Sequence, residues 1–99
     1  MSFILKTPQE VLEEVRQRFK ARRLVSHLTR EGLAKRSGVN INSLKRFEVT
    51  GQISFESLLK LSLVLDCLND FEQICVPHNQ HSLSDILNEK KIPKKGTIK

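Results

Sequence analysis

The side chains best suited to specific hydrogen bonding cluster between residues 40 and 46 of this 99-residue chain. Arginine can donate two hydrogen bonds to a guanine edge, asparagine can pair with adenine, and serine can adapt to either base. A lysine in the same stretch is placed nearer to phosphate. These side chains would therefore suit contacts with DNA base edges, and the candidates are Asn40, Asn42, Ser43, Lys45 and Arg46.

A second group of side chains has the charge or the hydroxyl needed to contact phosphates. Arg30 stands at the amino end of a predicted helix, where unpaired backbone amides attract anions, so it can reach phosphate or a base edge. Arg22 and Arg23 end the preceding helix, and either could instead simply cap its last turn. We assign phosphate contacts to Arg22, Arg23, Thr29 and Lys35, a base contact to Arg30, and a general positive field to Arg16.

The positive charge of the chain is concentrated around these candidates. The formal net charge is +6, and residues 16 to 46 carry ten lysines or arginines against one glutamate. Residues 47 to 77 carry one lysine against five acidic residues. A basic balance alone would suit nucleic acid, an anionic membrane or the ribosome equally well. Its segregation beside the candidate contacts favours nucleic acid.

Helix signals recur along the first part of the chain and predict one all-α domain of five helices over residues 1–77. Helix one runs from about Pro8 to Arg23, because proline suits the first helical position and Thr7 with Glu10 completes a capping box. Apolar residues then recur at helical spacing and give this helix one buried stripe. They are Val11, Leu12, Val15 and Phe19.

Helices two and three are predicted to be short and joined by a tight turn. Thr29 caps helix two, and Ser37-Gly38-Val39 ends it, with the glycine in the left-handed conformation that other residues resist. Asn40 caps helix three, and Thr50-Gly51 ends that helix. Gly32 lies inside helix two, where it costs about 1 kcal/mol relative to alanine. The sequence offers no reason for it.

The remaining two helices of the domain are acidic and apolar. Helix four is capped by Ser54, and its main apolar face consists of Leu58, Leu61 and Leu65. The residues that widen this face almost all round are Leu59, Leu63 and Val64. A helix with that much apolar surface needs more than one neighbour. A short fifth helix is predicted from about Leu68 to Cys75.

The chain carries no signal for a membrane or for secretion. It has no run of about 18 apolar residues, and its start lacks the basic region and the long apolar core of a signal peptide. We therefore expect a cytoplasmic protein that has no membrane among its partners.

Metal, cofactor and enzyme chemistry are not indicated. Cys67, Cys75, His78 and His81 have the spacing C-x7-C-x2-H-x2-H, which is not a standard spacing for structural zinc. A reducing cytosol would keep the two cysteines as thiols. The histidines have no nucleophile partner in a motif, and no glycine-rich phosphate loop is present. We assign no catalytic residue, no metal ligand and no cofactor.

Residues 78–99 differ in character and are predicted to form a basic, flexible tail. Five lysines lie there beside one proline and one glycine, without apolar periodicity beyond residue 92. The tail could be solubilising charge, an extra arm that binds phosphate, or a segment that folds onto a partner. Its few apolar anchors for a partner are Leu83, Ile86, Leu87 and Ile92.

The stretch Leu28 to Gly51, L-T-R-E-G-L-A-K-R-S-G-V-N-I-N-S-L-K-R-F-E-V-T-G, resembles the helix-turn-helix of the Xre or Cro-like (lambda-repressor-like) family. The likeness covers residues 8 to 75, and among members the chain looks most like HipB-type antitoxin regulators. It departs from the common pattern at Arg30, where glutamine is frequent, and at Gly32, where a helix former is usual. The resemblance implies a five-helix DNA-binding domain whose third helix enters the major groove.

The resemblance also implies a function and partners. We expect a sequence-specific repressor that binds double-stranded DNA, most simply the antitoxin of a type II toxin-antitoxin system that represses its own operon and binds a cognate toxin kinase. The alternatives are a phage-type or general regulator without a toxin, and a protein-interaction adaptor that does not read DNA.

One recognition helix reads only a few base pairs, so we expect a homodimer on an inverted-repeat operator. The candidate dimer surface lies in the acidic, apolar region after helix four. Alternatively, these residues only close the core of one chain. They are Leu68, Phe71, Ile74 and Val76.

Overall fold

The computed structural model describes residues 5–77, and this part of the chain contains four α-helices, one 3-10 helix and no β-strand. The elements in chain order are α1 (Pro8–Val25), α2 (Arg30–Ser37), α3 (Ile41–Thr50), α4 (Phe55–Val64) and the 3-10 helix η1 (Leu68–Gln73). The all-α prediction is confirmed for these residues. The predicted basic tail, residues 78–99, lies outside them. No helix between residues 5 and 77 is long and apolar enough to cross a bilayer.

The first helix begins with the capping box that the sequence predicted. Thr7 Oγ1 accepts a hydrogen bond from Glu10 N at 3.1 Å, and the Glu10 carboxylate accepts one from Thr7 N at 3.0 Å. The backbone bond from Thr7 favours the ionised carboxylate and lowers the pKa of Glu10. The helix continues to Val25, beyond the predicted end at Arg23.

Two glycines in the left-handed region end the short helices, as predicted. Gly38 follows α2 with φ of 77°, and Gly51 follows α3 with φ of 82°. Each donates its backbone N–H to a carbonyl four residues earlier, Ala34 and Phe47 respectively. These bonds satisfy helix-end carbonyls and let the chain turn sharply into the next element.

The structure supplies a reason for Gly32. Thr29 caps α2 by accepting a hydrogen bond from Gly32 N at 2.9 Å. A β-carbon at position 32 would lie 3.2 Å from Thr29 Oγ1 and 3.7 Å from Leu28 Cδ2. Glycine therefore leaves room for the capping hydroxyl to sit close against the first turn.

The core forms where α1 packs on α3 and where α2 packs on both α3 and α4. Phe19 of α1 meets Phe47 of α3 edge to face, with ring centroids 5.7 Å apart. The edge of one ring then faces the negative face of the other, which is a favoured arrangement of aromatic pairs. The buried apolar residues are Phe19, Leu33, Ala34, Val39, Leu44, Phe47, Leu61, Leu65 and Cys67.

The predicted fifth helix is present and begins at Leu68 as predicted, but it is shorter than predicted. The segment is the 3-10 helix η1, which ends at Gln73 rather than at Cys75. Asp66 before it and Cys75 after it have positive φ angles of 60° and 58°. An L-residue with positive φ cannot continue a right-handed helix. The segment between these two residues is too short for more than a few tight turns.

Candidate nucleic-acid interface

The outer face of α3 carries the predicted base-contact residues. Leu44 and Phe47 fix its inner face, because only 1% and 2% of their surface is exposed. A 3.6-residue repeat then directs the intervening polar positions away from the core. The side chains exposed on that outer face are Asn42, Ser43, Lys45 and Arg46.

Asn40 has a structural role that limits what else it can do. Its Oδ1 accepts hydrogen bonds from Asn42 N at 2.8 Å and from Ser43 N at 3.4 Å, and so caps α3. The carbonyl oxygen of the side chain is therefore occupied, whereas the amide group remains a donor. A contact from Asn40 to a base would have to be made by that donor alone.

Arg46 is held in place by a residue that the sequence analysis did not single out. Its Nη2 donates a hydrogen bond to Gln52 Oε1 at 2.7 Å. Gln52 is fixed in turn, because its backbone N–H donates to Thr50 Oγ1 at 3.1 Å, and that hydroxyl donates to Arg46 O at 2.8 Å. No residue pattern signals this contact, because it depends on how the chain leaves α3.

A polar hollow of about 270 Å³ lies beside Arg46, between the end of α3 and the start of α4. Ser54 caps α4 there by accepting a hydrogen bond from Ser57 N at 3.1 Å. The hollow thus combines an arginine, hydroxyl groups and the amino end of a helix, all of which suit an anion. Its lining residues are Ser43, Arg46, Gln52, Ile53, Ser54 and Ser57.

Glu48 is a buried charged residue of α3 that contacts both α1 and α2. This role was not predicted from the sequence. Its side chain is 3% exposed and pairs with Arg23 of α1 and with Arg30 of α2. Its backbone carbonyl also accepts a hydrogen bond from Arg16 Nη1. A usable signal was present, because Glu48 stands four residues after Leu44 and therefore faces the core side of α3.

Arg23 was predicted to contact phosphate, and the structure corrects this assignment. Only 6% of the residue is exposed. Nε and Nη2 donate to the two oxygens of Glu48, and Nη1 donates to the carbonyl of Leu28 at 2.9 Å. All three nitrogens are engaged inside the protein, so this guanidinium cannot reach DNA.

Arg30 remains available, although Glu48 orients it. The distance from Arg30 Nε to Glu48 Oε1 is 3.3 Å, while 41% of the arginine side chain is exposed. Its other guanidinium nitrogens make no hydrogen bond within residues 5–77. Because the shared carboxylate holds the inner edge, the outer edge points away from the core at the amino end of α2.

The remaining candidates for phosphate contacts differ in the hydrogen bonds and ion pairs that they already make within the protein. Arg22 donates from Nη1 to the carbonyl of Leu65 at 2.9 Å, which satisfies the end of α4. Arg16 is half-buried and pairs with Glu13, and this pairing raises the pKa of Arg16 and lowers that of Glu13. Lys35 and Thr29 are exposed. Of this group, the Lys35 side chain makes no hydrogen bond within residues 5–77, whereas Thr29 Oγ1 accepts the capping bond from Gly32 N and keeps only its hydroxyl hydrogen to donate.

The four residues predicted to form the dimer surface differ in burial. Leu68 and Phe71 are half-buried, and the ring of Phe71 lies edge to face with Phe55 of α4, with centroids 5.9 Å apart. Phe71 therefore packs against other residues of its own chain. Ile74 and Val76 are 50% and 45% exposed and remain on the surface.

The two cysteines differ in environment. Cys67 is buried and Cys75 is exposed, and both are free thiols. Burial raises the pKa of the Cys67 thiol. No group of three histidine, cysteine or acidic residues between residues 5 and 77 could hold a metal ion, while His78 and His81 fall outside that range.

Comparison with known proteins gives no relative from which to transfer a role. No protein-family model matches the chain, and no curated protein sequence matches it.

Proposed function

We propose that this protein binds double-stranded DNA in a sequence-specific way, through a helix-turn-helix of the lambda-repressor-like type formed by α2 and α3. The observation that carries the proposal is the outer face of α3. Four side chains that can hydrogen-bond to bases or phosphates are exposed together on it, namely Asn42, Ser43, Lys45 and Arg46. A helix of this width fits the major groove of B-DNA.

The amino end of α2 supports the same proposal. Arg30 presents its outer guanidinium edge there, next to Thr29, an exposed residue whose hydroxyl can still donate a hydrogen bond while its oxygen caps the helix. Backbone amides at a helix start also attract phosphate. In this proposal α2 fixes the protein on the phosphate backbone while α3 reaches base edges.

The buried charges explain how two short helices could act as one rigid unit. Glu48 of α3 binds Arg23 of α1 and Arg30 of α2, so the angle between α2 and α3 is held by ion pairs as well as by packing. Contacts made from a rigid element cost less ordering entropy on binding.

The narrower role within this proposal is a repressor that represses its own operon as the antitoxin of a type II pair. The support is the resemblance of the chain to HipB-type regulators in its size and in the short basic extension that follows the domain. Its partners would be an inverted-repeat operator, a second copy of the chain and a cognate toxin kinase.

Selection from a pool of random duplexes tests the proposal, followed by titration of the selected duplex at two salt concentrations. We expect one enriched motif, with half-sites about one helical turn apart. If six phosphates are neutralised, affinity should fall about a thousandfold between 50 and 200 mM salt. No enriched sequence together with little salt dependence would instead favour a protein-interaction adaptor.

A further inference from the structure

An apolar stripe on the outer side of α4 stays largely uncovered within residues 5–77, where its one aromatic contact is between Phe55 and Phe71 of η1. We define the α4 stripe as Phe55, Leu59 and Leu63, which follow one another at intervals of four residues. Phe55 is 60% exposed and Leu63 is 67% exposed. Leu59 is half-buried but does not pack against the core cluster.

The packing of α4 explains why the stripe stays uncovered. The helix contacts α2 on one side and η1 on another, and its inner positions Leu61 and Ser62 are fully buried. The sequence already predicted that so apolar a helix needs more than one neighbour. The two neighbours that the fold provides leave Leu63 and much of Phe55 exposed to solvent.

We propose that a second copy of this chain covers the α4 stripe, with the two α4 helices packed antiparallel about a two-fold axis near Leu59. The stripe spans about 12 Å of helix, at 1.5 Å per residue. In this arrangement Leu59 meets its own counterpart, and Phe55 lies level with the partner's Leu63. The apolar surface is therefore complementary to itself, as a two-fold interface requires.

The charges beside the stripe fit the same arrangement. Glu56 and Lys60 are both exposed and lie on the same side of the stripe. With the axis at Leu59, Glu56 lies about 4.5 Å along the helix on one side of the centre and Lys60 about 1.5 Å on the other. Glu56 and the partner's Lys60 then differ by only about 3 Å along the axis. The dimer interface therefore contains two pairs of opposite charge, which the two-fold axis relates to each other.

The neighbouring η1 widens this interface and connects it with the residues predicted from sequence. Leu68 of η1 is half-buried, and Phe71 already packs on Phe55. The three stripe side chains alone would bury less than the roughly 800 Å² per partner of a standard interface. Because η1 packs beside α4, its side chains would add to the buried area.

This inference deepens the proposed function by naming the surface that joins two DNA-binding domains, and it rests on that function only for its biological role. Self-association is measured without DNA. Failure of the dimer and failure of DNA binding are therefore separate results.

Sedimentation velocity of the full chain between about 1 and 100 μM tests the proposal directly. We expect a dimer that Leu63→Glu weakens about a hundredfold or more, because two buried leucines are lost per dimer. The matched control is Leu24→Glu, at a residue of α1 that is 55% exposed and lies outside the stripe, and it should leave the dimer unchanged. A wild-type monomer at 100 μM, or a Leu63→Glu dimer as tight as wild type, overturns the proposal.

Charge exchange keeps the proposal testable even if a stripe variant folds poorly. Glu56→Lys and Lys60→Glu should each weaken the dimer, by about fivefold. An equimolar mixture should regain dimerisation, because the mixed dimer alone contains two pairs of opposite charge. One pair is the original Glu56 with Lys60, and the other is reversed, with the lysine at position 56 and the glutamate at position 60. A mixture no tighter than either variant by itself would overturn the two-fold pairing.

Discussion

Glu48 of α3 and Arg23 of α1 form a buried ion pair, with Arg23 Nε 2.7 Å from Oε2 and Nη2 3.0 Å from Oε1. Both side chains are almost fully enclosed, at 3% and 7% exposure. The same arginine donates to the carbonyl of Leu28 in the connector before α2. One pair of side chains therefore fixes three parts of the chain around the candidate DNA-binding face.

Removal of either partner of this pair should destabilise the fold strongly. We expect Arg23→Met or Glu48→Gln to lower the free energy of unfolding by about 3 to 5 kcal/mol, because one charge or its hydrogen-bonding groups would stay buried without a partner. Urea unfolding measures the loss. Glu14→Gln, which breaks the exposed pair with Lys6, is the control and should cost less than about 1 kcal/mol. If the buried-pair and exposed-pair variants lost the same unfolding free energy, burial would not determine how much an ion pair stabilises this fold.

The two left-handed glycines should respond differently to alanine. At Gly38 a β-carbon would meet nothing within 4 Å, so Gly38→Ala should cost only the backbone strain of about 1 to 2 kcal/mol. At Gly51 the added carbon would overlap the side chain of Leu12, so Gly51→Ala should cost clearly more. Thermal unfolding compares them. Leu12→Ala should recover part of the loss in Gly51→Ala and none in Gly38→Ala.

Substitutions on the proposed DNA face should separate sequence reading from charge. Arg46→Ala should cost roughly 1 to 3 kcal/mol on the selected duplex and relax the preference at one base pair. Lys35→Ala should weaken selected and random duplexes alike and reduce the salt slope by about 1. Titrations at fixed salt on both duplexes measure this. Equal losses on both duplexes for Arg46→Ala would exclude base reading by that residue.

Gln52 should act only through Arg46. Loss of its hydrogen bond in Gln52→Ala frees the guanidinium to adopt other rotamers, so binding should weaken by about 0.5 to 1.5 kcal/mol. The same substitution made in Arg46→Ala protein should have no further effect on affinity. An undiminished effect in that background would show that Gln52 contacts DNA directly.

Alkaline pH should weaken the fold through Cys67. Burial raises its pKa above the ordinary value of 9.0, so the unfolded chain releases this proton first as pH rises. The neutral thiol therefore contributes stability that is complete below pH 9 and is lost as pH rises through the folded-state pKa. Urea unfolding of wild type and Cys67→Ala between pH 7 and 10.5 should show the advantage of wild type shrinking. A difference in unfolding free energy between the two proteins that stays constant with pH would contradict a raised pKa of Cys67.

The sequence alone determined the features that depend on neighbours three or four residues apart. The capping box of Thr7 and Glu10, the cap at Asn40 and the left-handed turn at Gly38 are all present as predicted. Each needs only local hydrogen bonds or a single backbone conformation, so residue type and spacing are sufficient to specify it.

Only the tertiary structure decided which charges are buried and which helix face remains uncovered. Arg23 and Arg46 are the same residue type, yet Arg23 is enclosed by Glu48, which is 25 residues away in sequence, while Arg46 stays exposed. Likewise, helical spacing places Leu61 and Leu63 on different faces of α4, but only the packing of α2 and η1 beside α4 decides that Leu63 remains exposed. Burial depends on the packing of distant segments, and that packing is a property of the whole fold.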